Sequence, residues 1–161
     1  MCSVRIHGAY SVMVSTRACG ALSQGSNPCR HPLMKKILSI FIVAFILNVV
    51  WENLHSIFYA NYMGGEITEF ILLRASFWDA IIIVLITLPF IFYPTFKNKS
   101  WLIILTGIIV SIFIEYWGLG SHRWAYNSLM PIIPILGLGL TPVIQLGLLG
   151  YVSFKTAENI K

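Results

Sequence analysis

Charge is scarce in this chain. Of its 161 residues 11% are Asp, Glu, Lys or Arg, while 57% are hydrophobic and the mean hydropathy is +0.79. A water-soluble domain carries about a quarter charged residues, so an ordinary soluble domain is excluded. Cysteine is missing from residues 34–161, because Cys2, Cys19 and Cys29 all lie upstream. That stretch therefore offers no disulfide framework and no thiolate chemistry. Acids are missing from residues 1–33, which carry Arg5, Arg17 and Arg30. Setting those three arginines aside leaves a net charge of +2 on the remainder, and its basic residues are not clustered. That is no nucleic-acid footprint.

What the chain has instead is long apolar runs, at residues 37–59, 70–93, 101–117 and 131–154. A helix crosses the hydrocarbon core with roughly 20 apolar residues, and little chain is left between the runs for a soluble domain. The expected fold is all-α: a multi-pass cell-membrane protein with four transmembrane helices in one bundle, residues 34–161. Residues 1–33 show no helical or alternating pattern and are expected to form a disordered leader. Gly25-Ser26-Asn27-Pro28 resembles the conceptual translation of a transfer-RNA T-arm, and Met34 is followed by Lys35 and Lys36. This favours an over-extended reading frame with Met34 as the true start; the competing reading is a transit peptide.

Cytoplasmic loops retain Lys and Arg. Lys35, Lys36, Lys97, Lys99, Lys155 and Lys161 all fall on one side of four spans, whereas the other side receives Glu66, Glu69 and Arg123. The expected topology is N-in, C-in. Trp and Tyr residues at several predicted edges fit interfacial anchoring.

Each predicted span has one small or polar stripe. In the first, Asn48, Glu52, His55 and Tyr59 are spaced 4, 3 and 4 apart, which places them on one face. In the third the stripe is Gly107, Ser111, Glu115 and Gly118; in the fourth it is Gly137, Thr141 and Gln145. The second contributes Ala75 and Asp79, with Arg74 nearby. Small residues allow helices to approach and polar ones bond across the interface. An ionisable group at mid-bilayer costs about 2.5–3.5 kcal/mol on the insertion scale, so these groups are expected to pair or to line a wet chamber. Under the inferred topology they gather in the non-cytoplasmic half, beneath a cap formed by residues 118–130. Pro142 and the glycines around it are expected to kink the fourth helix and pack it closely.

Three uses of the cluster compete. A structural network would pair Arg74 with Asp79 or Glu115 and Arg123 with another acid, with the histidines donating to carbonyls, giving a non-catalytic membrane component. A metal site would build on Glu52-Asn53-Leu54-His55, whose i, i+3 spacing suits carboxylate-bridged bundles, completed by Asp79 and Glu115. Acid–base chemistry on a lipid or isoprenoid is the preferred reading. It assigns catalysis to Glu52, His55, Asp79 and Glu115, with Glu52 or Glu115 as acid and His55 as base. Asn48, Arg74, His122, Arg123, Trp124, Tyr126 and Gln145 would bind substrate, an arginine holding any anionic head group. Interfacial anchoring is the plainer role for His122, Trp124 and Tyr126. The expected partner is membrane lipid, and a homo- or hetero-oligomer in the membrane is compatible with the stripes. The residues name no cofactor.

The segments "WENLHSIFY", "RASFWDA", the glutamate at 115 and "RWAYNSLMPIIPILGLGLTPVIQ" together resemble an uncharacterised family of small prokaryotic four-helix integral membrane proteins. That resemblance implies the fold and the shared polar positions, and carries no activity. A weaker likeness is to carotenoid hydratase and lycopene cyclase-type membrane proteins. There too a helix ends in Glu before a Gly-containing segment, an aromatic-x-Tyr and prolines. The Pro-x-Glu-Glu signature of the cyclases is absent here.

Overall fold

The structure, a computed structural model, describes residues 30–96 and 99–159. These form four helices: α1 (Arg30–His55), α2 (Glu69–Phe92), α3 (Leu102–Gly120) and α4 (Leu140–Asn159). The first three are long and apolar enough to cross a membrane, the architecture of a helical membrane protein. α1 starts at Arg30, so the last four residues of the expected leader are helical; the rest of the leader, 1–29, lies outside the described residues. So do Lys97 and Lys161 of the charge argument.

Most of the apolar surface of α1 to α3 faces outward: Ile42, Ile46 and Val50 on α1, Phe77 and Leu85 on α2, and Leu105, Ile109 and Phe113 on α3 are all exposed. Water would oppose this arrangement, whereas acyl chains are as apolar as leucine. α4 differs. Pro142, Val143, Leu146, Leu149, Phe154 and Ala157 are buried on it together with Gln145, Gly147, Gly150 and Ser153. A helix packed against protein over most of its surface, with Leu148 and Val152 left exposed, can carry glycines and polar residues, and this dilutes the hydropathy of α4.

α4 packs most closely on α3 and next on α1, α1 packs closely on α2, and α2 and α3 barely touch. The α3–α4 contact is made through glycine. A Cβ on Gly107 would overlap the backbone of Gly147, and one on Gly147 would sit 2.5 Å from the Ile104 carbonyl oxygen. Ile40, Ala44, Ala80, Ile83, Ile103, Leu146, Leu149 and Phe154 fill the core toward the end of the bundle that also carries Lys35, Lys36, Lys99 and Lys155.

The other end holds two short ribbons that a purely helical reading does not anticipate. β1 (Tyr59–Tyr62) pairs antiparallel with β2 (Trp124–Tyr126), and β3 (Ile132–Ile133) with β4 (Leu138–Gly139). The fourth apolar run is therefore not helical from Pro131. Pro131, Pro134 and Gly137, the last at a φ of +67°, turn the chain into the β3–β4 hairpin, and the helix begins at Leu140. Pro142 does not kink it either. It lies in the first turn, where its missing N–H has no helical acceptor to lose.

Candidate functional site

At the ribbon end the four polar stripes converge. α1 brings Asn48, Glu52 and His55 to its C-terminal turns, and α3 brings Ser111 and Glu115 to its last three turns. Asp79 sits ten residues into α2, about 15 Å along the axis, and Gln145 is in the second turn of α4. Glu52, His55, Asp79, Ser111, Glu115 and Gln145 line a cavity of about 150 Å³. Ser56, Tyr59, Asn61, Tyr62 and Trp124 join them from the ribbon side, and Ile71, Ala75, Ile114 and Leu146 supply apolar wall. A bulge between Tyr59 and Asn61 shifts the β1 register. Alternation along an unbroken strand would send Tyr59 and Tyr62 to opposite faces, and the extra residue lets both reach the cavity.

Two kinds of carboxyl environment face each other here. Glu115 is surrounded by donors: the Tyr59 hydroxyl lies 3.4 Å from Oε1, the Trp124 indole N–H is 3.3 Å from Oε2, and the Tyr126 hydroxyl also donates to Oε2. This is the hydrogen-bond complement of a carboxylate anion. Tyr126 is in turn held by the Gly139 backbone N–H, which donates to its oxygen at 3.0 Å. Burial and the nearby carboxyl of Glu115 push the Tyr59 and Tyr126 phenols above the ordinary tyrosine range, so both stay protonated and able to donate.

Glu52 and Asp79 are short of donors. Gln145 Nε2 lies 2.6 Å from Glu52 Oε1, 2.9 Å from Asp79 Oδ2 and 3.0 Å from Asn48 Oδ1. An amide nitrogen has two hydrogens, and three acceptors surround it. The arrangement closes when the Glu52–Asp79 pair keeps a proton. Asn48 lies beneath the cavity, fully buried, with its own amide donating to the Ala44 carbonyl at 2.8 Å.

His55 stands between the two carboxyl environments. Its Nδ1 is 3.3 Å from the Trp51 carbonyl oxygen and 4.0 Å from Glu52 Oε2, and its ring meets Tyr59 edge-on at 5.2 Å. A carbonyl only accepts, so Nδ1 carries the hydrogen and Nε2 of the neutral ring is an acceptor. Among the described residues that Nε2 is buried without a partner, and so are Ser111 Oγ and the Trp51 indole nitrogen. Buried polar atoms are normally bonded, and His55 and Ser111, unlike Trp51, line the same cavity.

Three expected members of the cluster are elsewhere. Arg74 is five residues from Asp79, about 140° around a helix of 3.6 residues per turn. It is exposed and donates to the Tyr62 hydroxyl at 2.8 Å. Arg123 lies over the Trp117 ring, 4.3 Å from its centroid. His122 is exposed and takes a φ of +53°, turning the chain after α3 so that the Arg123 N–H bonds the Gly118 carbonyl. The expected Arg–carboxylate pairs are thus not formed: among the described residues Lys155–Glu158 is the one Lys or Arg ion pair, and His55 Nδ1 stands 4.0 Å from Glu52 Oε2. Nor does any group of three His, Cys, Asp or Glu among them stand where it could hold a metal ion. Helical spacing marks Ser111 and Tyr59 as members of stripes but not as cavity residues. Asn61 and Tyr62 carry no sequence signal, because their position depends on the bulge.

No family model, curated protein or solved structure matches this chain.

Proposed function

We propose that the protein is a four-span enzyme, N-in and C-in, that runs acid–base chemistry on a lipid or isoprenoid in the non-cytoplasmic half of the bilayer. The observation that carries this reading is the pair of partnerless buried atoms, His55 Nε2 and Ser111 Oγ, beside a carboxyl pair short of donors. An unpaired buried polar group costs about 1–3 kcal/mol, and two of the three found among the described residues belong to residues that line this one cavity. The arginines that a structural ion-pair network needs are engaged with Tyr62 and Trp117 instead.

In this reading the Glu52–Asp79 pair delivers a proton to the bound group and His55 Nε2 takes one from it. Glu115, fixed by its three donors, is the negative charge that steadies a developing positive one. The lysines at the far end, Lys35, Lys36, Lys99 and Lys155, support the sidedness. α4 counts as the fourth span because its 20 residues are about 30 Å long.

The test is the lipid profile of cells that lack the protein, complemented with single variants. Wild type and Arg74→Ala are expected to restore the profile, whereas Glu52→Gln and Asp79→Asn, present in the membrane at wild-type level, are not. A profile unchanged by deletion, with Glu52→Gln and Glu115→Gln merely lowering stability, would return the protein to the class of non-catalytic membrane components.

A further inference from the structure

We infer that the cavity receives the uncharged hydroxyl end of a lipid chain, an alcohol and not its phosphate, entering sideways between α2 and α3. This rests on the acid–base reading of the same site and names its substrate class.

Charge excludes the anion. Among the described residues the cavity wall holds three acids, Glu52, Asp79 and Glu115, and neither Lys nor Arg. Arg74 is exposed and bonded to the hydroxyl of Tyr62 at the ribbon edge of the cavity, and Arg123 lies over the Trp117 ring. A phosphate brought here would meet carboxyls at low dielectric with no counter-charge in the wall itself.

The free atoms select the group that does fit. His55 and Ser111 are only 5% and 3% exposed, and their Nε2 and Oγ atoms have no partner among the described residues. An alcohol can give its hydrogen to the bare Nε2 and accept one from the serine hydroxyl. A hydrocarbon would leave both atoms unpaired.

Size and packing set the route. A cavity of about 150 Å³ takes a benzene-sized guest, so it holds the hydroxyl and the first few carbons while the rest of the chain lies outside. Three sides are closed by the α1–α2, α1–α4 and α3–α4 contacts, and of the four neighbouring pairs around the bundle α2 and α3 meet least. Ile71 and Ala75 of α2 and Ile114 of α3 wall the cavity beside that seam. It is an apolar slot through which the chain can run into the acyl layer.

The experiment uses the full chain in phosphatidylcholine vesicles. Two photoreactive probes are compared, a diazirine-bearing hexadecanol and its phosphate monoester, and the labelled peptides are read by mass spectrometry. The alcohol is expected to label α2 and α3 at least about tenfold more than the phosphate, since like-charge juxtaposition disfavours the latter. Ala75→Phe should suppress the alcohol labelling and Ile114→Ala should raise it, both with unfolding midpoints near wild type. Glu52→Gln with Asp79→Asn should narrow the preference. Equal or better labelling by the phosphate, or no labelling of the cavity by either probe, overturns the alcohol assignment. Labelling indifferent to both seam variants overturns the route. If the alcohol binds as expected but Glu52→Gln leaves the cellular lipid profile unchanged, catalysis fails and the binding assignment stands. If the phosphate is preferred while Glu52→Gln still alters the profile, the reverse holds.

Discussion

Gln145 of α4 reaches Asp79 of α2 with a 2.9 Å hydrogen bond, and the same amide nitrogen lies within bonding distance of Glu52 and Asn48 on α1. One side chain ties three helices together at the floor of the cavity. Replacing it with leucine leaves the oxygens of Asn48, Glu52 and Asp79 without a shared donor. Gln145→Leu is therefore expected to destabilise the protein by on the order of 2–4 kcal/mol, two or more unsatisfied buried groups at the usual cost. Unfolding in mixed detergent measures it, and a loss below about 1 kcal/mol would show that these oxygens are not held by the amide.

Tyr126 couples the acid site to the hairpin before α4, since its hydroxyl donates to Glu115 and accepts from the Gly139 N–H at 3.0 Å. Tyr126→Phe removes both bonds without changing ring volume. The expected local cost is about 1–3 kcal/mol, read as faster hydrogen exchange of the Gly139 amide. Unchanged exchange there would mean that the hairpin holds itself.

The glycine contact between α3 and α4 predicts a sharp positional contrast. Gly107→Ala and Gly147→Ala place a methyl against backbone that cannot yield, and each is expected to cost about 1–3 kcal/mol or more. Gly120→Ala, with nothing within 4 Å of the added carbon, is the control and should be nearly neutral. Equal effects at the three positions would contradict the packing.

Arg74 donates to Tyr62 and not to an acid. Because the pair is exposed, Arg74→Ala should cost less than about 1 kcal/mol. In a double-mutant cycle with Asp79→Asn, the coupling energy should be close to zero. A coupling above about 1 kcal/mol would put the guanidinium on the carboxylate after all.

The raised phenol pKa values of Tyr59 and Tyr126 predict an alkaline limit. In the unfolded chain both would ionise near pH 10; in the folded protein they stay protonated above it. Their contribution is complete below about pH 10 and falls as pH rises, because the unfolded state then loses protons that the native state keeps. Ultraviolet titration of the folded protein should show two of the seven tyrosines failing to ionise with the others. All seven titrating together at the ordinary phenol pH, with the fold intact, would contradict the buried arrangement.

Much of the site is legible in the amino-acid sequence. Helical spacing puts Asn48, Glu52 and His55 on one face, Ser111 and Glu115 on another, and Gln145 on a third, and these faces do meet. The reason is general: in a lipid-exposed bundle the apolar surface can stay outside, so the rare polar stripe marks the protein-facing side. Proximity in sequence misleads at Arg74, His122 and Arg123. Five residues along a helix is the wrong face, and a side chain just past a helix end can turn outward as readily as inward. The last run misleads as well, since apolar composition from Pro131 onward does not distinguish a helix from a hairpin.

Composition and periodicity by themselves determined three helices able to cross a membrane, the small and polar faces by which they associate, and the end of the bundle at which the acids collect. These follow from local geometry and the cost of charge in oil. Only the tertiary structure decided which donors each acid receives. Three aromatic donors around Glu115, one amide shared by Glu52 and Asp79, and no arginine for any of them depend on a strand bulge, a helix-end turn and the loose α2–α3 seam. The Tyr59–Glu115 contact and the Gln145 contacts join residues 56 to 97 positions apart, and their energies are set by three-dimensional contacts that no local pattern encodes.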